Sequence, residues 1–335
     1  MSPAQARRFF FLCTNNAVAR MTELYDFVWP SVTAMVFARS KAHRYRKLIA
    51  EERRYALIKA FQSKRVLRKQ YRSISGLKRA SLGKAFIDTD WPAQEQVFAR
   101  LVLVNVFAIH EGWLDDLMDE LTPQRGPNDP WRKRFITACQ FPYATSKHED
   151  WNWVMSELST HRSIGLEACF GGNLRSGRFY SQRHAIPLLL CYRYFKELRN
   201  SIVHRNGKAN SALVDACNAY RPVANEASLG ISGSPPEGSI NQIRAGSDIQ
   251  LSLFGIVGFN NVVLRLMATL DVEAGLTEFG EAAMIRFFKG RTNIRSVSGH
   301  RDTTLRRMAN EYGLVGLEHP EKLAQILTAG DVTIP

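Results

Sequence analysis

Apolar residues recur along most of this chain at helical rather than strand spacing. The clearest stripe is Ile186, Leu189, Leu190, Tyr194 and Leu198, which predicts an amphipathic helix over 184–206 with one buried face. Gly207 and Asn210 follow with the turn chemistry of a helix end. A second long helix is predicted to start at Asp90-Trp91-Pro92, with Asp90 as N-cap and Pro92 in the first turn, and to run to about Leu121. Shorter helices are expected over 131–140, 147–161 and 211–220, and a strongly apolar one over 249–272 with Asp248 as its cap. Residues 1–38 read as one or two helices, and 39–75 as a helix whose apolar stripe is broken by basic residues. The tail carries helical patterns over 276–288, 301–312 and 320–328. Serine, glycine and proline dominate from Pro222 to Asp248, which predicts a long flexible loop. Together these elements predict an all-α fold: a basic helical extension over 1–80, a helical domain over 81–275 and a helical tail over 276–335.

Composition fits a globular protein able to bury a sizeable core, with 45% hydrophobic and 23% charged residues. Cys13, Cys139, Cys169, Cys191 and Cys217 are scattered without a Cys-x-x-Cys pair, which argues for buried thiols in a reducing compartment. No charge-free run approaches membrane-spanning length, so no membrane span and a cytoplasmic location are expected. The net charge of +14 changes the picture, because it is local. Between Arg39 and Lys84 there are 16 lysines and arginines against two acids, and the remainder balances at 29 of each. Such density suits nucleic-acid phosphates, through counterion release, with Arg44, Arg46, Lys47, Arg53, Arg54, Lys64, Arg65, Arg68, Lys69 and Arg72 as candidate contacts. A solvated face, an anionic membrane surface and an acidic protein partner are the competing readings.

Three further stretches bear on chemistry. Asp115, Asp116, Asp119 and Glu120 oppose the dipole at the end of their helix unless cations meet them. With no histidine or second acid cluster spaced to complete a site, they read as a solvated face; neither metal nor cofactor is expected. Gly171 to Arg178, GGNLRSGR, lacks the Gly-Lys-Ser/Thr ending and the preceding strand of a phosphate loop, but offers Arg175 and Arg178 as phosphate contacts. Finally, Arg199, Asn200 and His204 cluster at the end of the helix over 184–206, with Arg205 and Lys208 just beyond. They can be read as helix C-terminal cations with a surface histidine.

The same residues resemble the Arg-x4-6-His signature of the HEPN family (higher eukaryotes and prokaryotes nucleotide-binding), in which a polar residue commonly follows the arginine. Val97 to Leu121 is similar to the long first helix of that family, where an apolar run leads into Glu111 and then the aromatic Trp113. The resemblance implies a HEPN-like helical bundle and a metal-independent endoribonuclease, in a toxin or anti-phage setting. It implies catalytic roles for His204 in proton transfer, Arg199 in stabilising the phosphate and Asn200 in orienting either, with Glu111 or Glu197 supporting Arg199. Histidine and arginine suit those tasks, since one titrates near neutral pH and the other is a permanent planar donor. Arg205 and Lys208 join the expected nucleic-acid contacts. Five residues at about 100° each place Arg199 and His204 about 140° apart on a regular helix. Members of the family commonly meet this separation by dimerising, so the resemblance implies as partners RNA and a second copy of the chain completing a shared cleft, with an antitoxin or other regulatory protein as a further one. Non-catalytic nucleotide or nucleic-acid binding, and a regulatory role through the basic helix, are the alternatives.

Overall fold

The computed structural model describes residues 9–45, 88–236, 243–289 and 301–334; among these the chain is all-α, without strands. The principal helices are α1 (Leu12–Tyr45), α2 (Trp91–Leu121), α3 (Pro130–Ala138), α4 (Trp151–Thr160), α5 (Ile164–Arg175), α6 (Ala185–His204) and α7 (Ser211–Tyr220). A one-turn helix α8 (Glu226–Leu229) follows, then α9 (Leu253–Gly275), α10 (Glu278–Lys289), α11 (Arg301–Tyr312) and α12 (Pro320–Ala329). The caps explain several boundaries. Asp90 accepts from the Ala93 amide at 3.0 Å with Pro92 in the first turn of α2, and Asn210 accepts from the Leu213 amide at 2.9 Å to start α7. Where the sequence suggests Asp248 as the cap of the last long helix, Ser252 does the capping, accepting from the Gly255 amide at 2.9 Å. Asp248 pairs instead with Lys208 at 2.7 Å.

α2, α6 and α9 pack together around stacked rings. Phe259 of α9 lies 4.4 Å from Phe195 of α6 and 5.2 Å from Phe107 of α2, centroid to centroid, and all three are fully buried. α9 is the innermost helix, buried without interruption from Leu266 to Gly275. By length and composition α2 and α9 could each cross a membrane; here both contribute to one hydrophobic core.

That core overrides the division expected near residue 80. Phe10 and Phe11 are fully buried, and α1 packs on α2 and α9 rather than standing apart as an extension. The start of α1 is tied down by carboxylates from its neighbours. Asp271 of α9 accepts from the amides of Phe10 (2.6 Å) and Phe11 (3.1 Å), while Glu120 of α2 accepts from those of Leu12 (3.3 Å) and Cys13 (2.7 Å). Three of these amides, those of Phe11, Leu12 and Cys13, are among the donors a helix start leaves without intrahelical partners. The acidic end of α2 is neutralised as well, since Arg132 of α3 reaches Asp119 and lies 3.6 Å from Asp115.

One other expectation needs correcting, and one helix is unexpected: the first five residues of GGNLRSGR complete α5, which the two adjacent glycines hide from a propensity reading. The described part of 222–248 is organised rather than a structureless loop. Leu229 and Ile231 are buried there, and the Tyr220 hydroxyl donates to the Pro236 carbonyl at 3.1 Å. All five cysteines are buried. Truncating Phe259 to alanine is expected to lower unfolding free energy by about 3–5 kcal/mol in urea titration, because both ring stacks are lost at once. A loss below about 1 kcal/mol would show that the three-helix seam holds without it.

Candidate active site

The two stretches that carry the family resemblance meet across α2 and α6. The helices run antiparallel: Glu111 faces Arg199, and eleven residues earlier Arg100 faces Gly207. Glu111 Oε2 lies 3.3 Å from Arg199 Nη2, and its Oε1 lies 3.7 Å from Lys196 Nζ. Arg199 Nη1 also donates to Asn200 Oδ1 at 3.2 Å, its guanidinium sits 6.0 Å from the Phe107 ring centre, and its buried Nε has no acceptor among the described residues. The Arg199 side chain is 23% exposed, enough for one edge to meet solvent or a ligand. Lys196 additionally donates to Gln140, and burial draws its pKa below the usual lysine value. Glu197 does not support Arg199. It takes the local pair offered by Arg193 one turn earlier, at 3.0 Å.

His204 is the last residue of α6 and is exposed. Because α6 is regular through His204, the two motif side chains leave the helix on different sides, and one chain does not bring them together. The turn after His204 is tightly built. Asn206 and Gly207 both adopt positive φ (53° and 77°), and the amides of Arg205 and Gly207 both donate to the Ser201 carbonyl at 3.0 Å. A β-carbon at Gly207 would stand 3.6 Å from Arg100 Nη2, so the guanidinium rests against this turn. Arg100 carries a buried Nε without an acceptor, and among the described residues it pairs with no carboxylate. Sequence spacing gives no hint of Arg100, because only the tertiary packing of α2 on α6 puts it against the turn at Gly207.

Of the other expected contacts, Arg205 is exposed at the C-terminal cap of α6, and Lys208 is held by Asp248. Arg44 lies in the last turn of α1. Arg46, Lys47, Arg53, Arg54, Lys64, Arg65, Arg68, Lys69 and Arg72 lie outside the described residues.

His110, adjacent to Glu111, is buried and shares a 3.2 Å hydrogen bond with the Tyr192 hydroxyl. Burial, reinforced by the charge of Lys196, lowers its pKa to about 3. The folded state therefore keeps His110 neutral while an unfolded chain protonates it below about pH 6.5. Stability from this group is complete above pH 6.5 and is lost as pH falls toward 3, at up to about 1.4 kcal/mol per pH unit. Urea unfolding at pH 7 and pH 5 is expected to show a larger loss for the wild type than for His110→Gln. Equal losses would remove His110 as the source. No family model matches the chain, and no curated protein or solved structure matches it.

Proposed function

We propose that this chain is an endoribonuclease of the HEPN type that cleaves RNA by attack of the ribose 2′-hydroxyl on the adjacent phosphate, without a metal ion. One observation supports this above the others: the two stretches that separately resemble the family are joined by the Glu111–Arg199 ion pair. In the proposed reaction His204 accepts the 2′-hydroxyl proton and the 2′-oxygen bonds to phosphorus. The 5′-oxygen then leaves with a proton returned to it, and a 2′,3′-cyclic phosphate remains. Arg199, oriented by Glu111 and Asn200, stabilises the charge that develops on the phosphate oxygens. Arg100, free of a carboxylate partner beside the His204 turn, is a second cation for that task.

The reaction needs two copies, because Arg199 and His204 diverge within one chain. An apolar strip suits a second copy. Val97 and Leu101 lie one turn apart on α2 at 58% and 57% exposure, and Phe254 at 66% exposure follows Leu253, whose amide donates to Glu95 at 3.2 Å. Val203, also exposed, immediately precedes the histidine. The family resemblance places such an enzyme in a toxin or anti-phage role, under a regulatory partner. A second reading, nucleic-acid binding without cleavage, is favoured by the same divergence if the chain stays monomeric.

Cleavage of total RNA and tRNA in excess EDTA tests the proposal. Wild-type protein is expected to release cyclic-phosphate ends, with Arg199→Ala and His204→Ala each slowing cleavage about 10²–10⁴-fold and Arg100→Ala about 10–10²-fold. Equal rates in the wild type and both motif variants would place the activity elsewhere. Binding without cleavage by an established dimer would favour the second reading.

A further inference from the structure

The opposite end of α6 carries a second concentration of positive charge. Residues 175–184 read RSGRFYSQRH, with no acid, and pass over the side of α9 that bears Arg265 and Thr269. Of the arginines here, Arg175 is consumed. It donates to Glu273 at 2.9 Å and to Glu167, while Glu273 also takes Arg162 (2.7 Å) and the Tyr180 hydroxyl (2.7 Å). The phosphate role that the sequence offers Arg175 is therefore filled by carboxylates.

Arg178, Arg183 and Arg265 differ: among the described residues none of them meets a carboxylate, and each has a neutral neighbour instead. Arg265 Nη1 donates to Ser181 Oγ at 2.8 Å, leaving its buried Nε without an acceptor. Arg183 Nε donates to His184 Nε2 at 2.8 Å, and Arg178 lies over the Phe179 ring at 5.5 Å. Burial, and after it the charge of nearby Arg178, draws the Arg265 pKa down.

The segment is also held in place. The Ser181 amide donates to Thr269 Oγ1 at 2.9 Å, Trp151 Nε1 donates to Gln182 Oε1 at 3.2 Å, and His184 Nδ1 bonds the Ser228 carbonyl at 2.9 Å. Gly230, at φ 61°, lies so close that a β-carbon there would stand 2.4 Å from the His184 ring. With Nδ1 as donor to a carbonyl, Nε2 is left as the acceptor that orients Arg183. Guanidiniums that meet neutral groups instead of counter-charges are suited to an anion, since arginine's planar fork matches phosphate oxygens.

We propose that Arg178, Arg183 and Arg265 form a phosphate-binding surface for a single-stranded RNA. The strand's identity as RNA rests on the proposed function; the anion site rests on the geometry above. α6 spans 20 residues, about 28 Å from this surface to the Arg199–His204 end. At the stacked rise of 3.4 Å, about eight nucleotides cover that length. Arginines interleaved with Phe179 and Tyr180 suit a strand whose bases can stack, more than a duplex.

A 12-nucleotide RNA with 2′-O-methyl riboses, which cannot be cleaved, and one 4-thiouridine tests this in the full chain. Photocrosslinks are expected within 175–184, mapped by mass spectrometry. Arg178→Glu with Arg183→Glu is expected to abolish them, weaken binding about tenfold and reduce the salt slope of log K by about 2, with the unfolding temperature unchanged. Both side chains are exposed, and Arg183→Lys should restore most of the salt slope. Crosslinks confined to other segments, or an unchanged salt slope, would overturn the proposal. Stabilisation by inorganic phosphate alone, lost in the variant and without RNA binding, would overturn RNA as the ligand. Crosslinking here by a wild type that cleaves no RNA would defeat the ribonuclease reading and leave this surface standing.

Discussion

Everything in this structure that bears on function hangs on the seam where α2, α6 and α9 share the Phe107–Phe259–Phe195 stack. Ring contacts fix helix separation and rotation closely, because interiors pack at the density of organic crystals. With that rotation set, Glu111 projects toward Arg199 and Lys196, and Arg100 toward the turn at Gly207. The same rotation commits Tyr192 and His110 to the interior, where the imidazole stays neutral. The polar arrangement is thus a consequence of apolar packing and contributes little to holding the helices together, since partly exposed ion pairs are weak.

Charge is distributed with a division of labour. Acids in the described fold are mostly spent on structure: Glu120 and Asp271 on the first amides of α1, Asp115 and Asp119 on Arg132, Glu273 on Arg162 and Arg175. Burial raises the Asp271 pKa to about 7 despite its two amide donors, a measure of how completely α9 is enclosed. Among the described residues, Arg100 and Arg205 near the motif, and Arg178, Arg183 and Arg265 at the other end of α6, meet no carboxylate. A helix bracketed by uncompensated guanidiniums is a natural track for a polyanion.

Much of the helical layout is legible in the chain because it is encoded locally. Asp90 with Pro92, Asn210, and the stripe from Ile186 to Leu198 place α2, α7 and α6 within a residue or two of their observed limits. What escapes sequence reading depends on distant partners. α5 is masked by Gly171 and Gly172, yet a β-carbon at Gly171 would stand 2.4 Å from the Glu167 carboxylate, so the glycine makes room for the Arg175 pair. Phe10 and Phe11 are buried in a core built by distant helices, and their amides meet Asp271, about 260 residues away. In the site, the Arg193–Glu197 pair is visible as a four-residue spacing, whereas the choice of Glu111 for Arg199 and the placement of Arg100 require the packed helices.

Arg199 and His204, divergent on one regular helix, are proposed to act together across two copies of the chain. Mixing inactive chains is the decisive experiment. Arg199→Ala and His204→Ala proteins, co-refolded in equal amounts, are expected to regain RNA cleavage with cyclic-phosphate ends, at about a quarter to a half of the wild-type level if copies pair at random. Mixtures as inactive as either variant alone, with mixed dimers shown to form, would rule out a cleft shared between copies.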